Sequence, residues 1–191
     1  MTIKKFVYLS FIIFAYFYTF QNGIVQGQAS NSSRPLEDIY SEIGYKTPEE
    51  AIEEVEQHFK RDLKLPLRVP PVSFTHNFGR FNNLEGTQND SLEIEYIHEG
   101  SSKNHYKIDV RPIEAKIPIK DNYIAKRVNL RNGSEALYEH LSGGWNALVF
   151  EKGHWQYWIS VDNRLSKKVT LESLIGIANS IHYESKQRHQ E

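Results

Sequence analysis

The spacing of apolar positions divides the chain into an unbroken apolar run, a helical stretch, a long stretch of alternation and a second helical stretch. Thr47-Pro48-Glu49-Glu50 reads as a helix start: Thr47 suits the cap, Pro48 the first helical position, and Glu50 closes a capping box. Ala51, Ile52, Val55 and Phe59 then share one face, Glu53, Glu54 and Gln57 take the other, and Pro66 stops the pattern, which predicts a helix over 47–62.

From Leu67 to Val161 the period becomes two. Val72 and Phe74 alternate with Ser73 and Thr75. Leu92, Ile94 and Tyr96 alternate with Glu93 and Glu95, and Tyr106, Ile108 and Val110 with Lys107, Asp109 and Arg111. The last two runs flank Gly100-Ser101-Ser102 and predict an antiparallel hairpin whose outer face sets acids against bases. Tyr123 to Leu130 and Glu135 to Leu141 bracket Asn132-Gly133, a strong two-residue turn signal, although Glu135 to Leu141 also fits a short helix. Trp145 to Phe150 and Trp155 to Val161 bracket Glu151-Lys152-Gly153-His154. Thr170 then caps a helical stripe of Leu171, Leu174, Ile175, Ala178 and Ile181. Together these elements predict a single α+β domain over 47–183. It is an antiparallel β-meander with an N-terminal and a C-terminal helix packed on one face.

Lys4 and Lys5 precede the apolar run Phe6 to Phe20, and Gly27-Gln28-Ala29 places small residues where a signal peptidase requires them. This order predicts a secretory signal over 1–29, a mature chain starting at Ser30, and a secreted or extracytoplasmic product. A membrane anchor formed by an uncleaved segment is the alternative, although 15 apolar residues fall short of the ~20 that span a bilayer. Residues 30–46 read as a flexible spacer and 184–191 as a disordered tail.

The absence of cysteine excludes disulfides and a lipid-bearing cysteine, so stability must come from a packed core. With Lys4 and Lys5 removed from the 23 basic residues, 21 face 24 acids, a net charge near −3. That balance lacks the basic stripe of a nucleic-acid binder.

No catalytic or metal set assembles from spacing. The eight histidines never recur three to five residues apart, and His98 and His105, which flank one loop, lack a third ligand. Ser142 beside Gly143-Gly144 belongs to a turn rather than a nucleophile elbow. Glu93 and Glu95 resemble a paired-carboxylate site, but their alternation fits a solvated sheet face. Asn31, Asn89 and Asn132 head glycosylation-type triplets that fit turns equally well. No cofactor is implied. The surplus aromatics are the remaining feature: alternation puts Trp155, Tyr157, Ile159 and Val161 on one face and Trp158 on the other, with Trp145 on the partner strand. Trp145 and Trp158 are therefore the candidate binding surface, beside the alternative that they only pack.

Asn132-Gly133 with Glu135-Ala136-Leu137-Tyr138, Trp145 to Phe150, Gly153-His154-Trp155-Gln156-Tyr157 and Leu174 to Ile181 follow a recognisable order. It resembles an uncharacterised domain of Gram-positive bacteria found in exported proteins and at the C-terminal end of some anti-sigma factors. The upstream Phe78 to Gly86 looks like small secreted bacillus-type proteins. The resemblance implies an extracytoplasmic α+β domain and carries over no catalytic residue.

The expected function is that of a secreted or cell-envelope domain, non-enzymatic, binding a protein, peptide or glycan, with a membrane partner only if the N-terminal segment is retained. An extracytoplasmic hydrolase and an inhibitor or immunity-like protein acting through residues 76–90 are the alternatives.

Overall fold

In the computed structural model the described residues are 34–84, 89–141 and 143–183. The signal over 1–29, the start of the spacer, residues 85–88, Ser142 and the tail over 184–191 lie outside them. The chain divides into two units, 1–34 and 35–191, and every element below belongs to the second. Among the described residues no helix is long and apolar enough to cross a membrane.

The capping box at Thr47 forms: its hydroxyl accepts from the Glu50 amide while the Glu50 carboxylate accepts from the Thr47 amide. Helix α1 spans Leu36–Glu42 and α2 spans Pro48–Phe59. Helix α2 stops before residue 62 because Lys60 turns left-handed at φ 54° and the Glu56 side chain accepts from the Leu63 amide at 2.7 Å. Thr47→Ala is expected to cost about 1 kcal/mol, read as a lowered denaturant midpoint.

Seven strands follow: β1 His76–Asn82, β2 Ser91–Ile97, β3 His105–Pro112, β4 Ile124–Asn129, β5 Glu135–Leu141, β6 Trp145–Lys152 and β7 Trp155–Asp162. Glu135–Leu141 is thus a strand, not a helix. All are antiparallel, in the order β1-β2-β3-β7-β6-β5-β4. The meander is therefore built in two blocks. The connection after β3 crosses to the far edge, and β4 to β7 return until β7 pairs with β3. Helix α3, Leu171–Ala178, follows with Thr170 as its cap. This is the expected α+β meander.

The inner face carries Leu92, Ile94, Tyr106, Ile108, Val110, Leu148, Phe150, Trp155, Tyr157, Ile159 and Val161, nearly all without exposure. Ala51 and Val55 of α2 and Leu174, Ile177 and Ala178 of α3 pack into that same core. Trp155 lies edge-on to Phe59, with centroids 5.5 Å apart, and donates to the Asp62 carbonyl at 2.8 Å. Gly79 lets α2 approach β1, because a Cβ there would lie 2.8 Å from the Ala51 Cβ and from the Pro48 Cα. Gly176 differs: an added Cβ would meet nothing within 4 Å, and mid-helix glycine costs about 1 kcal/mol relative to alanine.

Two expectations are corrected. The spacer over 30–46 contains helix α1 and the buried Tyr45. The first strand lies at His76–Asn82, within the 76–90 segment, while Val72 and Phe74, read as alternating strand positions, pack against the core from outside any strand.

Candidate functional site

Register places one row after another on the sheet's outer face: Phe78 and Arg80, Glu93 and Glu95, Lys107 and Asp109, Trp158 and Ser160, Ala147 and Val149, Leu137 and Glu139. The solvated face expected for Glu93 and Glu95 is not there; both are buried, with 6% and 8% of their surface exposed. Helix α1 and Tyr45 cover them. Tyr40 stacks on Phe78 at 4.2 Å, and its hydroxyl donates to Glu95 at 3.2 Å. The Tyr45 hydroxyl donates to Glu93 at 2.6 Å, and Arg80 lies over the Tyr45 ring at 4.4 Å.

Glu93 also accepts from Arg80 at 2.8 Å, Asn82 at 3.4 Å and Lys107 at 2.8 Å. Burial alone would raise its carboxyl, but the bonds from Lys107, Tyr45 and Arg80 outweigh it and hold Glu93 well below the usual carboxylate range. Asp109 stands directly opposite Glu93, an acid against an acid, and Lys107 bridges them at 2.8 and 3.5 Å. Burial pushes Asp109 up to about 6, opposed by the Lys107 charge. Burial, aided by Glu95, pushes the Tyr40 hydroxyl up to about 12.

The raised Asp109 carboxyl means that the native state holds a proton that the unfolded chain releases near pH 4. Its contribution therefore favours folding more as pH falls from about 7 through about 6. The side chain keeps 30% of its exposure, so the effect is about 1–2 kcal/mol after screening. Asp109→Asn is expected to melt higher than the parent at pH 7 and to converge with it below about pH 4; an equal difference at both would remove the perturbed carboxyl.

Trp145 and Trp158 share this face without touching: Val149, four residues after Trp145, stands opposite Trp158, about 13 Å along the strand. Between them lie Ala147 and Ser160, paired and buried. Trp145 meets His105 edge-on at 4.8 Å, and His105 contacts Glu95 at 3.0 Å. His98 instead accepts from the Gly100 amide, so these two histidines do not converge. Among the described residues no group of three or more His, Asp or Glu could hold a metal ion.

Five buried side-chain polar atoms among the described residues have no partner: Arg80 Nε, Tyr106 Oη, Arg111 Nε, Glu139 Oε1 and Trp158 Nε1. Register assigns all but Tyr106 to the outer face. Burial pushes the Glu139 carboxyl up. Sequence reasoning missed Arg80, Arg111 and Glu139 because alternation names a face but not what covers it.

The stem of the 76–90 segment is tied down, with Asp90 accepting from the Leu84 amide at 2.9 Å and meeting His58 at 3.0 Å. No protein-family model, curated protein or solved structure matches the chain.

Proposed function

We propose that this chain is an exported, non-enzymatic binding domain that takes a peptide or glycan on the outer face of its sheet. The observation that carries this reading is the pair of half-buried tryptophan rings on that face, Trp145 and Trp158, beside the unpartnered Trp158 Nε1, Arg111 Nε and Glu139 Oε1. Each unpaired buried group costs about 1–3 kcal/mol, and native folds keep few. The two rings give a partner apolar contact, and a partner that draws the Trp158, Arg111 or Glu139 side chain outward recovers part of that cost. The signal-like N-terminal pattern and the resemblance to extracytoplasmic domains support export.

A hydrolase would use Glu93 and Asp109, carboxyls whose environments push them apart. Glu93 is already occupied by Tyr45, Arg80, Asn82 and Lys107, which favours binding over chemistry.

Fluorescence titration of the mature chain against peptide and glycan arrays tests the binding surface. The expected ligand loses about tenfold affinity or more in Trp158→Phe, which keeps the ring and removes the N–H. Ligands indifferent to both Trp158→Phe and Arg111→Ala would overturn the reading. Mass spectrometry of native-host fractions tests export: a product starting at Ser30 outside the cytoplasm is expected, and a full-length cytoplasmic product would refute it.

A further inference from the structure

A second site lies on the opposite side of the molecule, along the outward side of α3. A cleft of ≈ 370 Å³ runs there, lined by Leu67, Arg68, Arg131, Glu172, Ile175 and Gly176 among others. That volume is at the small end of ligand sites.

Consecutive residues after α3 bring the two arginines together. The Asn179 side chain accepts from the Arg131 amide at 2.8 Å, and the Ser180 hydroxyl accepts from the Arg68 amide at 3.1 Å. The backbones are pinned, yet neither guanidinium makes a hydrogen bond or ion pair among the described residues. Two arginines at a helix C-terminus would also complement its dipole. Dipole complementation does not explain Gly176, however. This glycine sits mid-helix with open space where a Cβ would stand, so the fold does not require it. Its effect is to bare the helix backbone on the cleft floor.

The far end of the cleft has the opposite charge. Glu172 lies in the first turn of α3, and hydrogen bonds from its own backbone and the Thr170 side chain hold its carboxyl below the usual range. From Glu172 to Asn179 the helix rises about 10 Å. An extended peptide covers ~3.4 Å per residue, so about three residues span that distance.

We propose that this cleft binds a short extended peptide with free termini, about three residues long. Its terminal carboxylate lies between Arg68 and Arg131, in the bidentate geometry guanidinium groups favour. Its terminal ammonium faces Glu172, its backbone crosses Gly176, and a central aliphatic side chain sits between Leu67 and Ile175. This site is separated by the sheet and core from the outer face and does not depend on that face being a binding surface.

Calorimetric titration of the full domain with Ala-Leu-Ala tests it. Saturable binding is expected, weakened about tenfold or more by amidating the peptide's C-terminus, by acetylating its N-terminus, and by Arg131→Ala. Gly176→Leu projects into the cleft from a position where an added Cβ meets nothing within 4 Å, and is expected to abolish binding while the thermal melt stays cooperative. Inorganic phosphate is the control. Phosphate binding as tight as the peptide's, with no effect of N-acetylation, would make the site a simple oxyanion site and overturn the peptide. No binding by the parent, or peptide binding indifferent to Arg131→Ala and Gly176→Leu, would also overturn it.

Discussion

Trp155→Ala is expected to lower stability by about 3–5 kcal/mol, a large fraction of the roughly 5–15 kcal/mol margin of a folded domain. The ring has no exposure. Its removal opens a cavity beneath Phe59 and deletes the bond from Nε1 to the Asp62 carbonyl, which ties the end of α2 to the sheet. Trp158→Ala is the control on the same strand: a half-buried ring whose N–H has no partner should cost roughly 1 kcal/mol. Thermal melts of the two variants decide the matter. A lower melt for Trp158→Ala than for Trp155→Ala would invert the faces of β7.

Glu93→Ala is expected to have an effect of similar size, about 3–5 kcal/mol, since it leaves half-buried Arg80 without its carboxylate, leaves half-buried Lys107 only Asp109 at 3.5 Å, and takes from Tyr45 its 2.6 Å acceptor. Its pH dependence is specific. Because the folded carboxyl lies below its unfolded value, its contribution is present above about pH 4 and is lost as the medium is acidified further. The parent should therefore lose denaturant resistance below pH 4, whereas Glu93→Ala should show a shallower slope there. Parallel slopes would mean that Glu93 is not held ionised by the network.

Where one face of an element is apolar and continuous, the sequence was legible. Helix α2 announced itself through its capping box, β2, β3 and β7 through alternation over a closed core, and β6 as a continuous apolar run. Strand β1 was hidden because its inner positions are Asn77, Gly79 and Phe81. The glycine that makes room for α2 also erases the period-two signal. Helix α1 was hidden because it docks by Tyr40 stacking on Phe78 and bonding to Glu95, not by an apolar stripe. The burial of Glu93 and Glu95 followed from that docking, from residues some fifty positions away. No local pattern encodes it. The positions of Trp145 and Trp158 on a common face were readable from register, but the unpaired groups on that face were not.

The two-block sheet also sets the order in which its parts can become whole. Strand β3 is an interior strand in the finished fold, yet its second neighbour is β7, some fifty residues later in the chain. As the chain is made from its N-terminus, β1, β2 and β3 can zip up locally while β3 still presents a long unpaired edge. That edge carries Tyr106, Ile108 and Val110 on one side, an open template for a neighbouring copy until residues 155–162 arrive. Closing the β3–β7 seam is the high-contact-order event of this fold. Truncations ending before β7 should therefore be the forms that aggregate.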